Sequence, residues 1–197
     1  MADRTPTRER VLDAALASFG GRGYDATSLD ALAGELGVRK QTILYYFPSK
    51  EALLAGVIDA SAAELTRALE RTLAHAGGGW ARVEAVVRKV FRLAARRPAL
   101  LGLLREVARL GPPASTRLIA ALDPLVKRAQ TFLELEMADG RLRSHDPATV
   151  LLMAYSMVIG VATEEEVQRA LGMQPSLRSL VRRRRDLLAV LRSGLVP

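Results

Sequence analysis

Between residues 27 and 50 the chain reads TSLDALAGELGVRKQTILYYFPSK, two short apolar-periodic stretches that meet at Gly37. Leu29, Leu32, Ala33 and Leu36 recur at the three- and four-residue spacing of a single helix face. Thr27 or Ser28 supplies a cap, because a side-chain oxygen there accepts from the free backbone N–H groups that open a helix. Gly37 stands where the turn requires left-handed backbone, which glycine adopts without steric cost. After it, Val38 anchors the turn while Ile43 and Phe47, four apart, pack inward. Arg39, Lys40, Gln41, Thr42, Tyr45 and Tyr46 are left largely outward, and Pro48 stops the helix. The segment therefore predicts a helix-turn-helix.

The same periodicity runs through the rest of the chain and sets the fold class as all-α. Ala, Leu and Arg recur every three or four residues almost from end to end, with no clear alternating run of strand character. A first helix is expected from Thr7, carrying Val11, Leu12, Ala15, Leu16 and Phe19 inward and ending at Gly20, Gly21 and Gly23. Ser49 caps a long helix that runs to residues 77–79. Further helices are expected over 80–97, 98–110, 115–137 with a kink or restart at Pro124, 147–172 and from Ser176 onward, roughly nine in all. The expected division is a three-helix DNA-binding domain over residues 1–50 and a helical domain over 51–197, the whole chain being long enough to bury a sizeable core.

Charge alone says little about the partner. The formal net charge is +8, yet residues 1–50 hold seven cations against six acids, and the excess leans towards the C-terminus. The informative patch is local: residues 36–50 carry three cations and no acid. In a helix-turn-helix the second helix enters the major groove with its N-terminal residues at the base edges. Arg39, Lys40 and Gln41 are the candidates for those edges, since Arg and Lys donate to guanine and Gln pairs bidentately with adenine. Thr42, Tyr45, Tyr46, Lys50 and Ser28 suit phosphate contacts, which position without specifying sequence.

These residues resemble the DNA-binding domain of the TetR/AcrR family of bacterial transcription regulators. The likeness runs from about Thr7 through Leu54: the Phe19 helix end, the glycine-rich turn with Tyr24, the Thr27-Ser28 start, the Leu36-Gly37-Val38 turn and the stretch TILYYFPSKEALL. The family usually places a phosphate-contacting tyrosine where this chain has Leu44, so the helix is expected to hold DNA somewhat differently, with Tyr45 and Tyr46 available instead. The resemblance implies a C-terminal regulatory and dimerisation domain, a homodimer on a palindromic double-stranded operator, repression, and release by a small apolar effector. A dimer reading two half-sites also gains specificity on physical grounds. Residues 147–171 and 176–195 are the candidates for its interface, and serve equally as intramolecular core. Phe91, Leu104, Phe132, Met153, Tyr155 and Met157 are the candidates for an effector cavity among the middle helices, against plain core packing.

Other chemistry finds little material. There is no cysteine, and His75 and His145 have no metal-ligand spacing, so neither a metal nor a cofactor is expected. No nucleophile motif or phosphate-binding loop appears, Glu164, Glu165 and Glu166 read as a solvated helix surface, and no catalytic residue is assigned. The N-terminal MADRTPTRER is polar, and no apolar run approaches ~20 residues, which predicts a cytoplasmic chain without a membrane span. The run 182–185 of four arginines reads as a solvated or snorkelling helix surface, its members pointing in different directions. Beside the ligand-responsive regulator stand two other readings, a low-specificity nucleoid-type DNA binder and an unrecognised helical enzyme.

Overall fold

The computed structural model describes residues 7–174 and 176–197, apart from the side chain of Glu165; the first residues of MADRTPTRER and the middle acid of the Glu164–Glu166 run thus lie outside what is described. Ten helices occupy these residues: α1 (Thr7–Gly21), α2 (Leu29–Leu36), α3 (Lys40–Tyr46), α4 (Lys50–Leu73), α5 (Trp80–Arg96), α6 (Pro98–Leu110), α7 (Ala114–Ala138), α8 (Pro147–Thr163), α9 (Glu165–Ala170) and α10 (Leu177–Leu195). No strand occurs among them, and no helix is long and apolar enough to cross a membrane.

The chain forms two compact units, one of residues up to Glu64 with Pro98–Ala121, the other of Leu65–Arg97 with Leu122–Pro197. The first unit thus joins α6 to the helices of the helix-turn-helix. Its core explains why: Leu103 and Val107 of α6, both fully buried, pack with the apolar faces of α1, α2, α3 and the start of α4. Helices α1 and α6 approach so closely that a Cβ on Gly102 would stand 2.0 Å from the Gly20 carbonyl oxygen, and one on Gly20 would stand 2.1 Å from that of Ala99. Only two glycines permit this crossing.

A buried carboxylate holds the glycine-rich turn after α1 against α6. Glu106 accepts from the Tyr24 N–H at 2.7 Å and from Arg109 at 2.8 Å, and Arg109 also donates to Asp25 at 2.8 Å. The Arg109 bond, then the Tyr24 N–H, hold the Glu106 carboxyl below its usual range although burial opposes them.

In the second unit, α5 buries Val87 and Phe91 against Val158 of α8 and Leu187, Leu188 and Leu191 of α10. A separate apolar patch joins Leu133, Leu142 and Leu195. Glu136 does here what Glu106 does in the first unit, accepting from the Gly79 N–H at 3.0 Å and from Arg141. The Arg141 bond is the main reason its carboxyl also sits below the usual range.

Helix α7 runs through Pro124 as one helix, and a single helix expectation changes. The helix expected over 147–172 instead stops at Thr163, with Glu164 off the helical conformation, and α9 follows as a separate short helix. Gln168 donates to the Val161 carbonyl at 3.1 Å and Thr163 to that of Ile159 at 2.8 Å, so side chains occupy carbonyls of the last turns. The break also moves the acidic run from the middle of a helix to the start of α9, where the helix dipole favours negative charge.

Candidate nucleic-acid interface

Helix α2 opens on Ser28, whose extended backbone lets its Oγ accept from the Ala31 N–H at 3.1 Å. Thr27 is buried instead: its hydroxyl donates to the Gly23 carbonyl at 2.8 Å and meets Ser18 Oγ at 2.6 Å, fixing the approach to the helix. At the other end Gly37 takes φ 66° and ψ 32°. Its N–H donates to Gly34 O and that of Val38 to Ala33 O, the two-bond stop that requires a left-handed residue. Arg10 adds a side-chain bond to the Leu36 carbonyl at 3.2 Å.

The turn launches α3 with Arg39 in extended backbone at its N-cap. Ile43 is fully buried and Phe47 nearly so, while Val38 packs half-buried against the same core. Those anchors fix which side of α3 faces out. Arg39 and Gln41 are exposed, Lys40 and Thr42 half-buried, and Tyr45 is 83% exposed, its ring edge-on to that of Tyr46 at 5.0 Å. The structure thus brings Lys40, Gln41, Thr42, Tyr45 and Tyr46 together on one seven-residue helix, with Arg39 at its N-cap and Ser28 exposed at the start of its neighbour. Leu44, in the place of the tyrosine usual in the resemblance, is half-buried.

Two electrostatic details of this face are not readable from the motif. Lys40 Nζ lies 2.8 Å from Asp30 of α2, so one of its three cations is already partnered, whereas Arg39 has no ion pair among the described residues. Lys50 lies over the Tyr24 ring with Nζ 4.1 Å from its centroid, a cation–π contact that orients the ammonium at the start of α4. Tyr24 also donates to Glu51 at 3.1 Å. Its phenol is pushed up to about 12, by burial first and then by Glu51, and stays neutral beneath the lysine. The aromatic at position 24 was visible in the sequence; its role in positioning Lys50 required the fold.

The six cavity candidates fall in both units. Leu104 is buried on α6, in the first unit, while Phe91 and Met157 pack in the α5–α8–α10 core. Phe132 lies under the Arg82 guanidinium at 5.0 Å, and Met153 and Tyr155 are exposed on α8. Helical periodicity marks a residue as inward without saying which core receives it. Both histidines meet backbone carbonyls, His75 that of Arg71 and His145 that of Gly194, and no three His, Asp or Glu side chains gather as a metal site among the described residues.

Residues 11–57, from α1 into α4, match the family model described as bacterial regulatory proteins, tetR family. The chain is similar to the HTH-type transcriptional repressor DrrR1 of Streptomyces coeruleorubidus, 28% identical over 174 residues that make up 86% of this chain and 58% of that protein. It is also similar to the HTH-type transcriptional regulator RutR of Escherichia coli K12, 45% identical over 51 residues, 26% of this chain and 24% of that one. The chain thus spans under two thirds of the length of these relatives. Its fold is that of the transcriptional regulator FadR from Bacillus subtilis in complex with stearoyl-CoA, with a TM-score of 0.79 at 19% identity over 94% of this chain and 98% of the other. The family match falls on the helices whose caps, glycine stop and outward face are described above, and it is residues 11–57 that carry the likeness to the tetR family of bacterial regulatory proteins.

Proposed function

We propose that the chain is a sequence-specific DNA-binding transcriptional repressor that acts on a palindromic operator as a homodimer and is released by a small-molecule effector. The observation that carries the reading is the orientation of α3: Ile43 and Phe47 are held in the core, and Arg39 and Gln41 therefore face outward with no side-chain partner to displace among the described residues. Arg39 and Gln41 read base edges, and Thr42, Tyr45, Tyr46, Lys50 and Ser28 hold phosphates. Lys40 exchanges Asp30 for DNA, so it adds less than Arg39. The exposed apolar residues Leu152, Met153 and Tyr155 of α8, with Val190 of α10, supply the face that pairs two copies. An effector acts by preferring the conformer with the weaker DNA affinity; equal affinity for both would change nothing.

The test is a gel shift with the DNA upstream of the chain's own gene, at stated salt, against random duplex. Arg39→Ala with Lys40→Ala is expected to weaken specific binding at least tenfold, as one lost bidentate contact is worth about 1–3 kcal/mol. Lys50→Ala is expected to weaken specific and random binding alike and to lower the salt slope by about one. Unchanged specific binding in the double variant refutes the assignment of α3. Equal affinity of the unmodified chain for both duplexes points instead to a nucleoid-type binder.

A further inference from the structure

Helix α10 holds six arginines and one aspartate in 19 residues. Arg178, Arg182, Arg185 and Arg192 follow one another by four, three and seven residues, which aligns them in a single row along the helix. That row, with Arg184 beside it and Arg88 facing it from α5, lines one groove of about 640 Å³. A row of like charges at helical spacing destabilises the helix that carries it. Little in the fold offsets this. The only carboxylate in the lining is Glu84, which accepts from Arg88 at 2.8 Å. Asp186, outside the lining, lies 3.4 Å from Arg185 and 3.9 Å from Arg182, and those two arginine side chains remain 79% and 78% exposed. Arg178, Arg184 and Arg192 have no ion-pair partner among the described residues. The Nε of Arg184 is also shut off from solvent without an acceptor there, an exception to the rule that buried donors are bonded.

The rest of the lining is apolar: Trp80, Val181, Leu188 and Ala189. The volume falls within the range of small-molecule sites, about 300–1,000 Å³. Guanidinium groups match carboxylate and phosphate oxygens in geometry as well as charge. We infer that this groove binds a small amphipathic anion, an apolar body with a phosphate or carboxylate head. The head meets the row of α10 and the body lies along Trp80 and Leu188. The site stands on the second unit alone, whether or not the chain binds an operator.

Trp80 is the chain's single tryptophan, so its emission reports this groove directly. The full chain is titrated with dodecyl phosphate and with dodecanoate, both below their micelle concentrations. A saturable one-to-one change in emission is expected for at least one of them, and their ratio names the head group. Inorganic phosphate and dodecyltrimethylammonium are each expected to bind at least tenfold more weakly. Arg178→Gln with Arg185→Gln, on the groove's rim, is expected to weaken the better probe at least tenfold with far-UV dichroism unchanged. If that double variant does not fold, Arg182→Gln serves, with an expected loss of at least threefold. Equal binding of the cationic amphiphile or of inorganic phosphate, or an unchanged affinity in the folded variant, overturns the inference. So does a response of Trp80 to random duplex DNA alone, which would make the groove a nucleic-acid surface.

Discussion

The crossing of α1 and α6 gives the most direct mechanical test of the first unit. In Gly102→Ala the new Cβ would stand 2.0 Å from the carbonyl oxygen of Gly20 and 2.9 Å from its carbonyl carbon. Both are backbone atoms, so no rotamer relieves the contact. A carbon–oxygen pair is comfortable at about 3.3 Å, so the helices must separate by roughly 1.3 Å. Leu103 and Val107, each fully buried beside Gly102, move with α6 out of the core they share with α1. A gap of that size forfeits much of the dispersion contact along the seam, and overpacking of this kind costs about 1–3 kcal/mol. Alanine's better helix propensity returns roughly 0.5–1 kcal/mol. A net loss of about 1 kcal/mol is expected, read as a lower urea midpoint at unchanged slope and a Tm lower by roughly 2–4 °C. Gly34→Ala in α2 is the matched control, because its Cβ would meet nothing within 4 Å. It receives the propensity gain without the clash and is expected to stabilise by about 0.5–1 kcal/mol. Should Gly102→Ala prove as stable as the unmodified chain, the two glycines do not set the approach of α1 and α6.

Glu106→Gln removes the charge that binds Arg109 in a largely buried place and is expected to cost roughly 1–3 kcal/mol at pH 7. Because the folded carboxyl is held below its unfolded value, its contribution is complete above the ordinary glutamate pKa of about 4.3 and is lost as pH falls from there through the depressed folded value. Urea denaturation should thus show the gap between the two proteins closing below about pH 4.3, and a gap that stays constant to pH 2.5 contradicts the linkage. For the pairing face, Leu152→Glu with Met153→Glu changes two exposed side chains, 64% and 57% accessible in the single chain, and is expected to leave the thermal transition within about 0.5 kcal/mol of the parent. On the proposed pairing the parent sediments as a dimer and the variant as a monomer, with operator affinity down at least tenfold; a dimer that survives both glutamates places the interface elsewhere.

What the sequence made legible was what is fixed locally. Ser28, Gly37 and Ser49 each start or stop a helix through bonds within a few residues, and Pro48 through the N–H it lacks, so the helix-turn-helix could be drawn with its outward side chains. What it hid depends on residues far apart in the chain. Gly20 reads as a helix end and Gly102 draws no reading at all until the fold sets them against each other. Glu106 carries no pattern that marks it as the acceptor for an N–H 82 residues earlier.

The arginines show the same difference between a run and a row. Read as a run, Arg182 to Arg185 should point in several directions, yet Arg182, Arg184 and Arg185 line the groove beside α5 while Arg183 turns to Gln168 of α9. The aligned charge comes instead from Arg178 and Arg192, isolated residues that share a helix side with Arg182 and Arg185. This also relocates the meaning of the net charge. Helix α10 holds most of the chain's +8, whereas α3 offers one cation without an ion pair, Arg39, and a second already bound to Asp30. Electrostatics near α3 are therefore too sparse to hold DNA by charge number alone, and binding there has to draw on the neutral donors Gln41, Thr42, Tyr45 and Tyr46 and on a second copy of the helix. A shallow salt dependence for the specific complex follows from that scarcity, since each phosphate neutralised adds only about 0.9 to the slope.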